Sequence, residues 1–289
     1  MHSPVSLYPA AIGQLASGLG LPSFEKGSVW LAGAGPGDPG LITLLGLHAI
    51  ANADVIFHDA LANDALLAFA RPGAEIVDAG KRRGRKSAKQ SDISRALILR
   101  ARKSQRVLRL KGGDPLMFGR GAEEALALAA AGILFRIVPG VTAGIGGLAY
   151  AGIPVSHRDT NHVVTFLTGH AADGGIPDLD WRAIAQGSPT LVLYMALAHA
   201  EDIAHKLIAA GRDPHEPAAI VSDATYDRQT VTVTTLRELG AAARESRAPA
   251  ILVIGENVRL REGLDWLGAL QGRVLDPDPL KRHELLEAS

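Results

Sequence analysis

Three stretches of this chain carry most of its chemically useful side chains. Asp59 closes the apolar run DVIFHD. KRRGRKSAK, residues 81–89, packs six positive charges into nine residues of a chain whose formal net charge is zero. RLKGGDPLMFGRGAEE, residues 109–124, runs from an apolar strand end into two glycines, an acid and a proline, then restarts as a helix behind Arg120. Gly112 and Gly113 have no Cβ, so a partner can come close to their backbone, and Asp114 adds a carboxylate. A turn of this kind suits a ligand bearing hydroxyls, an amine or positive charge better than one bearing phosphates. The basic run has two readings, a solvated loop or a site for a polyanion. Each exposed ion pair contributes only ~0.2–1 kcal/mol, so a polyanion site needs several carboxylates met at once.

Other motifs narrow the chemistry. GAGPGDPG, residues 33–40, follows a strand and opens a helix. The third glycine of a dinucleotide fingerprint would fall at position 38, where Asp38 stands instead and would face a pyrophosphate with like charge. Asp54 and Asp59 do lie at the distance that fingerprint expects, so nicotinamide binding stays open, as does a ligand-free glycine turn. RLKGGDP is not a Walker loop, because its lysine precedes the glycines. S-adenosylmethionine, with its ribose, ammonium and sulfonium, meets the description of a ligand for bare backbone and an acid. The small-residue run GVTAGIGGLAYAGIP, residues 140–154, reads as a loop and a helix packed closely on a neighbour or on a flat ligand. His157, His162 and His170 lack the helical spacing of a zinc protease motif, no thiolate is available, and the expectation is no metal. No nucleophile elbow for a serine hydrolase is present.

The elements that must position these groups can be read from periodicity. Strands are expected at 29–35, 54–59, 74–80, 107–110 and 135–140, with helices at 41–52, 91–103 and 121–131. Asp38 and Pro39 fit the start of the first helix, and Gly132 closes the third. Alternation of this kind implies an open, largely parallel sheet. The pattern changes across 145–160. Strands follow at 163–169, 190–197, 217–225, 229–236 and 249–258, with helices near Trp181 and at 199–210. QTVTVTTL alternates as a half-exposed strand does, so the second sheet is expected to be mixed. The fold class is α/β with two α/β domains. The division is an N-terminal extension (1–26), domains at 27–150 and 151–275, and a tail (276–289). In such sheets ligands sit beyond the carboxyl ends of strands, where most of the candidate residues lie.

A chain of 289 residues is long for one domain and buries about 75% of its unfolded surface without staples. The absence of cysteine excludes disulfides, thiolate metal sites and a cysteine nucleophile, and it fits a reducing compartment. Zero net charge argues against a general nucleic-acid binder. No apolar run is long enough for a membrane span, and the first 26 residues lack a basic start and an unbroken apolar core. A cytoplasmic protein is expected.

Taken in order and spacing, GAGPGDPG, the aspartate ending VIFHD, GKRRGRKSAKQ, RLKGGDPLMFGRGAEE, PGVTAGIGGLAYAGIPVSHR, LTGH and LYMAL resemble the S-adenosylmethionine-dependent uroporphyrinogen-III C-methyltransferases of the tetrapyrrole methylase superfamily. The resemblance covers about residues 28–275 and is of the stand-alone form. It implies two unequal α/β domains with the active site in the trough between them, and a homodimer. The reaction it implies is methylation of uroporphyrinogen III at two ring carbons, through precorrin-1 to precorrin-2, for cobalamin and sirohaem, with S-adenosylhomocysteine as by-product and no metal. The cofactor contacts it implies fall on Pro36, Gly112, Gly113, Asp114, Met117, Thr142, Ala143, Met195 and Ala224, with Asp59 as base and Lys81 as acid. Arg82, Arg83, Arg85, Arg120 and Arg158 are the residues expected to meet the substrate's carboxylates.

Departures from the family pattern are His58 for a common tyrosine, Ala122 for a second glycine, Ser156 for threonine and Ala224 for glycine. None removes a proposed chemical group, and Ala224 suffices if its contact is through backbone. Three alternatives stay open: a methylase of the same fold acting on a later corrinoid, a non-catalytic tetrapyrrole or nucleotide carrier, and a nicotinamide dehydrogenase.

Overall fold

A computed structural model of the chain describes residues 12, 17–80, 90–171 and 173–281. It divides into two compact units, 1–142 and 143–289. In the first unit the order is β1 (Val29–Gly33), α1 (Leu44–Asn52), β2 (Val55–His58), β3 (Glu75–Asp78), α2 (Gln90–Arg102), β4 (Val107–Lys111), α3 (Gly121–Ala130) and β5 (Phe135–Val138). The strands form one sheet in the order β3-β2-β4-β1-β5, and every pairing is parallel. The expected open parallel sheet is present.

Side chains alternate across these strands, so each sheet face has its own core. Trp30, Ala32, Ile56, Leu108 and Leu110 pack with Ile50 and Leu66 on one face. Val29, Leu31, Val55, Phe57 and Val107 meet Leu97 and Ala101 of α2 and Leu128 of α3 on the other. Helix α1 starts later than the sequence pattern suggests. Asp38 does accept from the Gly40 N–H, but it caps a 3-10 turn (Pro39–Leu41). The helix itself is capped by Thr43, whose hydroxyl accepts from the Gly46 N–H at 3.0 Å. The described part of the N-terminal extension lies on β1. Phe24 stacks on Trp30 with ring centroids 4.5 Å apart, and His48 Nε2 lies 3.1 Å from the Pro22 carbonyl oxygen.

The second unit runs α4 (Ala143–Tyr150), β6 (Val164–Thr168), α5 (Trp181–Gly187), β7 (Thr190–Tyr194), α6 (Ala200–Ala209), β8 (Pro217–Ser222), β9 (Thr230–Thr235), α7 (Leu239–Glu245) and β10 (Ala250–Ile254), then two short helices at Arg261–Leu264 and Trp266–Leu270. Its sheet order is β6-β7-β10-β8-β9. Only β6 and β7 pair in parallel; β10 runs antiparallel to both β7 and β8, and β9 is an antiparallel edge. The sheet is mixed, as the alternation of β9 implies. Helix α4, which sequence patterning places before residue 151 with the first domain, groups with this unit. Its Gly144 N–H donates to the Tyr194 hydroxyl at 2.8 Å, and a Cβ at Gly147 would meet that of Ala224 at 2.7 Å.

Asp54, one of the two acids at dinucleotide-fingerprint distance, has a structural task. It accepts from the Arg106 backbone N–H at 2.7 Å, from the Arg106 guanidinium at 2.9 and 3.1 Å and from Arg71 at 2.6 Å. These bonds tie the start of β2 to the residue before β4. The Arg106 hydrogen bond, working against burial, lowers the Asp54 carboxyl from 3.8 to about 2. A carboxyl held low in the folded state stabilises the fold fully above about pH 4 and loses that contribution as the pH falls toward about 2. With a discount for solvent screening, Asp54→Asn should cost about 1–2 kcal/mol at neutral pH. Urea unfolding of both proteins should show the gap shrinking from about pH 4 to about pH 2; a gap that stays constant contradicts this account.

Candidate active site

Strands β1 and β4 are neighbours in the first sheet, and the loops beyond them meet at its carboxyl edge. Gly35 and Gly113 exchange backbone hydrogen bonds, Gly113 N to Gly35 O at 2.7 Å and Gly35 N to Gly113 O at 3.2 Å. A Cβ at Gly33 or at Gly140 would run into the Gly113 carbonyl oxygen, and one at Gly112 would lie 2.7 Å from Leu61 Cβ. Gly113 also has φ +65°, a left-handed conformation that glycine adopts without steric cost. These glycines are therefore required first by the protein's own backbone. Asp114 completes the knot: one carboxylate oxygen accepts from the Leu116 N–H at 2.8 Å and the other from the Gly140 N–H at 3.0 Å. The ends of β1 and β4 and the turn after β5 are thus pinned together, and the peptide groups around Gly112 and Gly113 stay only half-buried. Pro36 is half-buried beside them, and Asn63 donates to the Gly37 carbonyl at 2.8 Å. Met117 follows in the loop to α3. That loop holds Phe118 at φ 54° and Arg120 at φ 59°, both left-handed. Arg120 is exposed and pairs with Glu123 at 2.7 Å.

Asp59 lies one residue beyond β2, its N–H bonded to the Leu110 carbonyl at 3.0 Å. Its side chain is 27% exposed and forms a close ion pair with Arg109 through Oδ1, while Oδ2 lies 3.8 Å from Lys111 Nζ. Arg109 and Lys111 share one face of the central strand β4 and are only 2% and 3% exposed. Their second counter-ion is Glu124 of α3, which is wholly buried. Arg109 Nε donates to Glu124 Oε1 at 3.1 Å and Lys111 Nζ lies 3.3 Å from both carboxylate oxygens. Gln90 of α2 also donates to Oε1, at 2.6 Å. Burial, then repulsion from Arg109, lowers the Lys111 pKa below the usual lysine value, while Asp59 and Glu124 pull the other way.

Motif spacing alone misses Arg109, Lys111, Glu124 and Gln90. A signal for the first two exists: in VLRLK the charges occupy alternate positions of a buried strand, on the face marked by Val107. Of the other predicted polar residues, Lys81, Arg82, Arg83 and Arg85 lie outside the described residues. Arg158 is exposed in the loop before β6.

The second unit gathers its own set of candidates. Strands β7 and β8 run in the same direction, each antiparallel to β10, so Met195 and Ala224 follow their strands at the same sheet edge. Met195 is 51% exposed at φ 53°, and Asp223 (φ 47°) and Thr225 (φ 67°) flank Ala224 in the same unusual conformation. Left-handed non-glycine residues cost free energy and collect at ligand sites. Helix α4 approaches that edge through Gly144 and Gly147, which brings Ala143 to it; Thr142 is the residue before. Arg228 Nη2 pairs with Asp223 at 3.0 Å and lies over the Tyr226 ring, and the Thr225 N–H donates to Gln229 at 2.7 Å. His157 instead faces Asp159 at 3.7 Å, and among the described residues no group of three or more His, Asp or Glu could hold a metal.

The first unit thus leaves half-buried glycine backbone beyond its strands, beside a buried ionic cluster at an aspartate, and the second presents the exposed Met195 side chain at a strand end. The family model for tetrapyrrole (corrin/porphyrin) methylases matches residues 28–240, and the chain belongs to that family. It is 59% identical over 263 residues to a uroporphyrinogen-III C-methyltransferase of Sinorhizobium, covering 90% of this chain and 94% of the relative. It is 46% identical over 245 residues to siroheme synthase 1 of Klebsiella pneumoniae, spanning 85% of this chain but 52% of that longer protein. Among solved structures, a uroporphyrin-III C-methyl transferase from Thermus thermophilus complexed with S-adenyl homocysteine is 40% identical, with a TM-score of 0.71 over 81% of this chain and 99% of the other. A cobalt precorrin-4 methyltransferase is 28% identical, with a TM-score of 0.73 over 82% and 98%.

Proposed function

We propose that this tetrapyrrole methylase carries out S-adenosylmethionine-dependent C-methylation of uroporphyrinogen III at two ring carbons, through precorrin-1 to precorrin-2, for sirohaem and cobalamin. The observation that carries this reading is the likeness to the Sinorhizobium enzyme, which runs through both units. Lower identity to the precorrin-4 methyltransferase puts the later-corrinoid alternative second. The nicotinamide alternative needs a free ribose acceptor, but of the two acids at that distance Asp54 is committed to two arginines and Asp59 is paired with Arg109.

The residues fit a sulfonium nucleoside. Gly112 to Asp114 offer half-buried peptide groups and Met195 an exposed thioether side chain, and neither position carries the basic residues a phosphate ligand would call for. S-adenosylmethionine, when bound, supplies a methyl group to an electron-rich ring carbon, and each transfer leaves the macrocycle with one proton to release. We assign donor contacts on the first unit to Pro36, Gly112, Gly113, Asp114, Met117 and Thr142, and on the second to Ala143, Met195 and Ala224. Asp59 takes the proton and Lys81 is the acid. Arg82, Arg83, Arg85, Arg120 and Arg158 meet the substrate's carboxylates. Holding reactants in a near-attack arrangement supplies roughly 7–11 kcal/mol. A positioned base adds about 10²–10⁴ in rate, or roughly 3–5 kcal/mol, so positioning outweighs proton removal. We place the protein in the cytoplasm as a homodimer. Among the described residues no helix is long and apolar enough to cross a membrane.

Anaerobic incubation with uroporphyrinogen III and radiolabelled S-adenosylmethionine should incorporate two methyl groups and give the precorrin-2 spectrum; binding without incorporation would instead mark a carrier. Asp59→Asn should slow turnover by about 10²–10⁴ and leave S-adenosylhomocysteine affinity intact, and wild-type turnover in that variant removes the base assignment. Joint replacement of Arg82, Arg83 and Arg85 by glutamine should raise KM for the macrocycle, and the difference from wild type should narrow as salt rises. Unchanged affinity would show that the basic run is only a solvated loop. Light scattering should report twice the chain mass of 30.3 kDa, and a single-chain mass at assay concentration would refute the dimer.

A further inference from the structure

Two buried cations beside a proposed base need an explanation that the reaction alone does not give. Arg109 occupies Asp59 Oδ1, whereas Lys111 Nζ stands 3.8 Å from Oδ2, beyond hydrogen-bond reach. Lys111 is held at that distance from the other side, because its hydrogen bond goes to Glu124 Oε1 at 3.3 Å. Glu124 Oε2 is equally close to the ammonium but makes no hydrogen bond of its own. A fully buried carboxylate oxygen with no hydrogen bond is destabilising. The arrangement is tolerable here because Glu124 meets two cations. The cluster holds two charges of each sign, and three of its four members are almost entirely shielded from solvent.

We propose that Lys111 and Glu124 are positioning residues for proton removal: Glu124 restrains the Lys111 ammonium so that it acts on Asp59 Oδ2 through space without bonding it. Oδ2 is then the oxygen that accepts the substrate proton. This inference rests on the assignment of Asp59 as base. The balance is simple. A carbon–hydrogen bond of the macrocycle breaks, its electron pair stays in the ring system, and an oxygen–hydrogen bond forms on Oδ2. The cluster then carries one net positive charge, and repulsion from Arg109 and Lys111 drives the new proton off to solvent, resetting the base for the second methyl transfer. Burial, and after it repulsion from Arg109, already lower the proton affinity of Lys111, so a further positive charge at Oδ2, 3.8 Å from its ammonium, is unfavourable.

Among the described residues, other charged or titratable groups around Asp59 are few. His58 precedes it on β2, with Nδ1 3.9 Å from Asp64, whose side chain is largely in solvent. Asp78 on the neighbouring strand β3 caps the Gly80 N–H at 2.9 Å. Glu123 on α3 is exposed, pairs with Arg120 and feels Lys111 weakly. None of these stands between Lys111 and Oδ2 in the hydrogen-bond pattern.

The test is the pH dependence of kcat/KM for methyl incorporation, from about pH 5 to about pH 9, in the full-length enzyme. Removing a cation beside a carboxylate favours its protonated form, so Lys111→Met should move the acid limb upward by about one pH unit or more. Lys111→Arg, which keeps the charge, should move it less. Lys111→Met with Glu124→Gln removes one buried charge of each sign, which guards against failure to fold from an unpaired carboxylate. Its limb should lie between those of wild type and Lys111→Met. A merely structural role predicts a lower melting temperature with the limb unmoved. An unmoved or downward-shifted limb in folded Lys111→Met overturns the proposal, and so does a wild-type limb in the double variant if the single one does not fold. Asp59→Asn separates the two ideas. Full turnover there defeats the base assignment, whereas slow turnover with an unmoved Lys111→Met limb defeats only the role of Lys111.

Discussion

Strand β4 meets two opposed demands within a few residues. At Arg109 and Lys111 it carries cations into the middle of a five-stranded sheet; at Gly112 and Gly113 it has no side chain at all. The first demand is met only because α3 delivers Glu124 and β2 delivers Asp59 to the same face. Ion pairs of this kind gain little net stability over an apolar core, yet losing one partner costs several kcal/mol. A cluster of four such groups in the centre of a sheet is therefore a poor way to stabilise a core and an effective way to fix one carboxylate in space. The second demand follows from topology. β1 and β4 are adjacent and parallel, so their exit loops must share one small space with the turn after β5. Gly33, Gly113 and Gly140 share it by omitting Cβ, and the Asp114 carboxylate spans the gap with two backbone hydrogen bonds.

The second unit fixes its strand-end loops by another route. Its sheet is mixed, and the loops after β7 and β8 are not packed on one another through glycine. Instead Met195, Asp223 and Thr225 adopt left-handed conformations that non-glycine residues rarely take. The surroundings hold them there: Ala196 lies against Gly169, Arg228 is tied to Asp223, and Gln229 bridges the Thr225 N–H and the Tyr150 carbonyl. Ala224 stands where the resemblance implies a glycine, and its Cβ is accommodated because Gly147 of α4 presents none to it.

Much of the fold is legible in the sequence, since alternation and turn residues mark all ten strands of the two sheets and most of the helices. The misses have physical causes. The start of α1 is displaced because Asp38 and Pro39 do form a capped start, but of a 3-10 turn, and Thr43 is a second cap a few residues on. The short helices at 239–245 and 261–270 hold too few turns for a clear period. For the site, the candidates Asp59 and Met195 come from the resemblance to a family, and reading the bareness of Gly112 and Gly113 as a ligand's requirement overlooks that the protein's own backbone already requires it. The buried charges escape notice because the leucines of VLRLK mark it as an apolar strand. In a strand covered on both faces, alternate Arg and Lys mean a counter-ion elsewhere in the chain, and no local pattern says where. Only the fold brings Glu124 of α3 and Asp59 of β2 to them.

Methyl transfer to a carbon centre asks little of acid–base groups and much of placement, which explains where this chain accepts conformational strain. The backbone knot at Gly33, Gly113 and Gly140 and the left-handed residues at Met195, Asp223 and Thr225 supply rigidity through the backbone itself. They suit a donor whose reactive methyl must point along one line. The buried charges of the first unit gather around Asp59 and Glu124. Their burial has an electrostatic advantage. A sulfonium donor is cationic and would be repelled by Arg109 and Lys111 if they were exposed beside it, so burying both under Asp59 and Glu124 keeps their field local. The same cations that would hinder a donor in the open are thereby left to act on the Asp59 carboxylate.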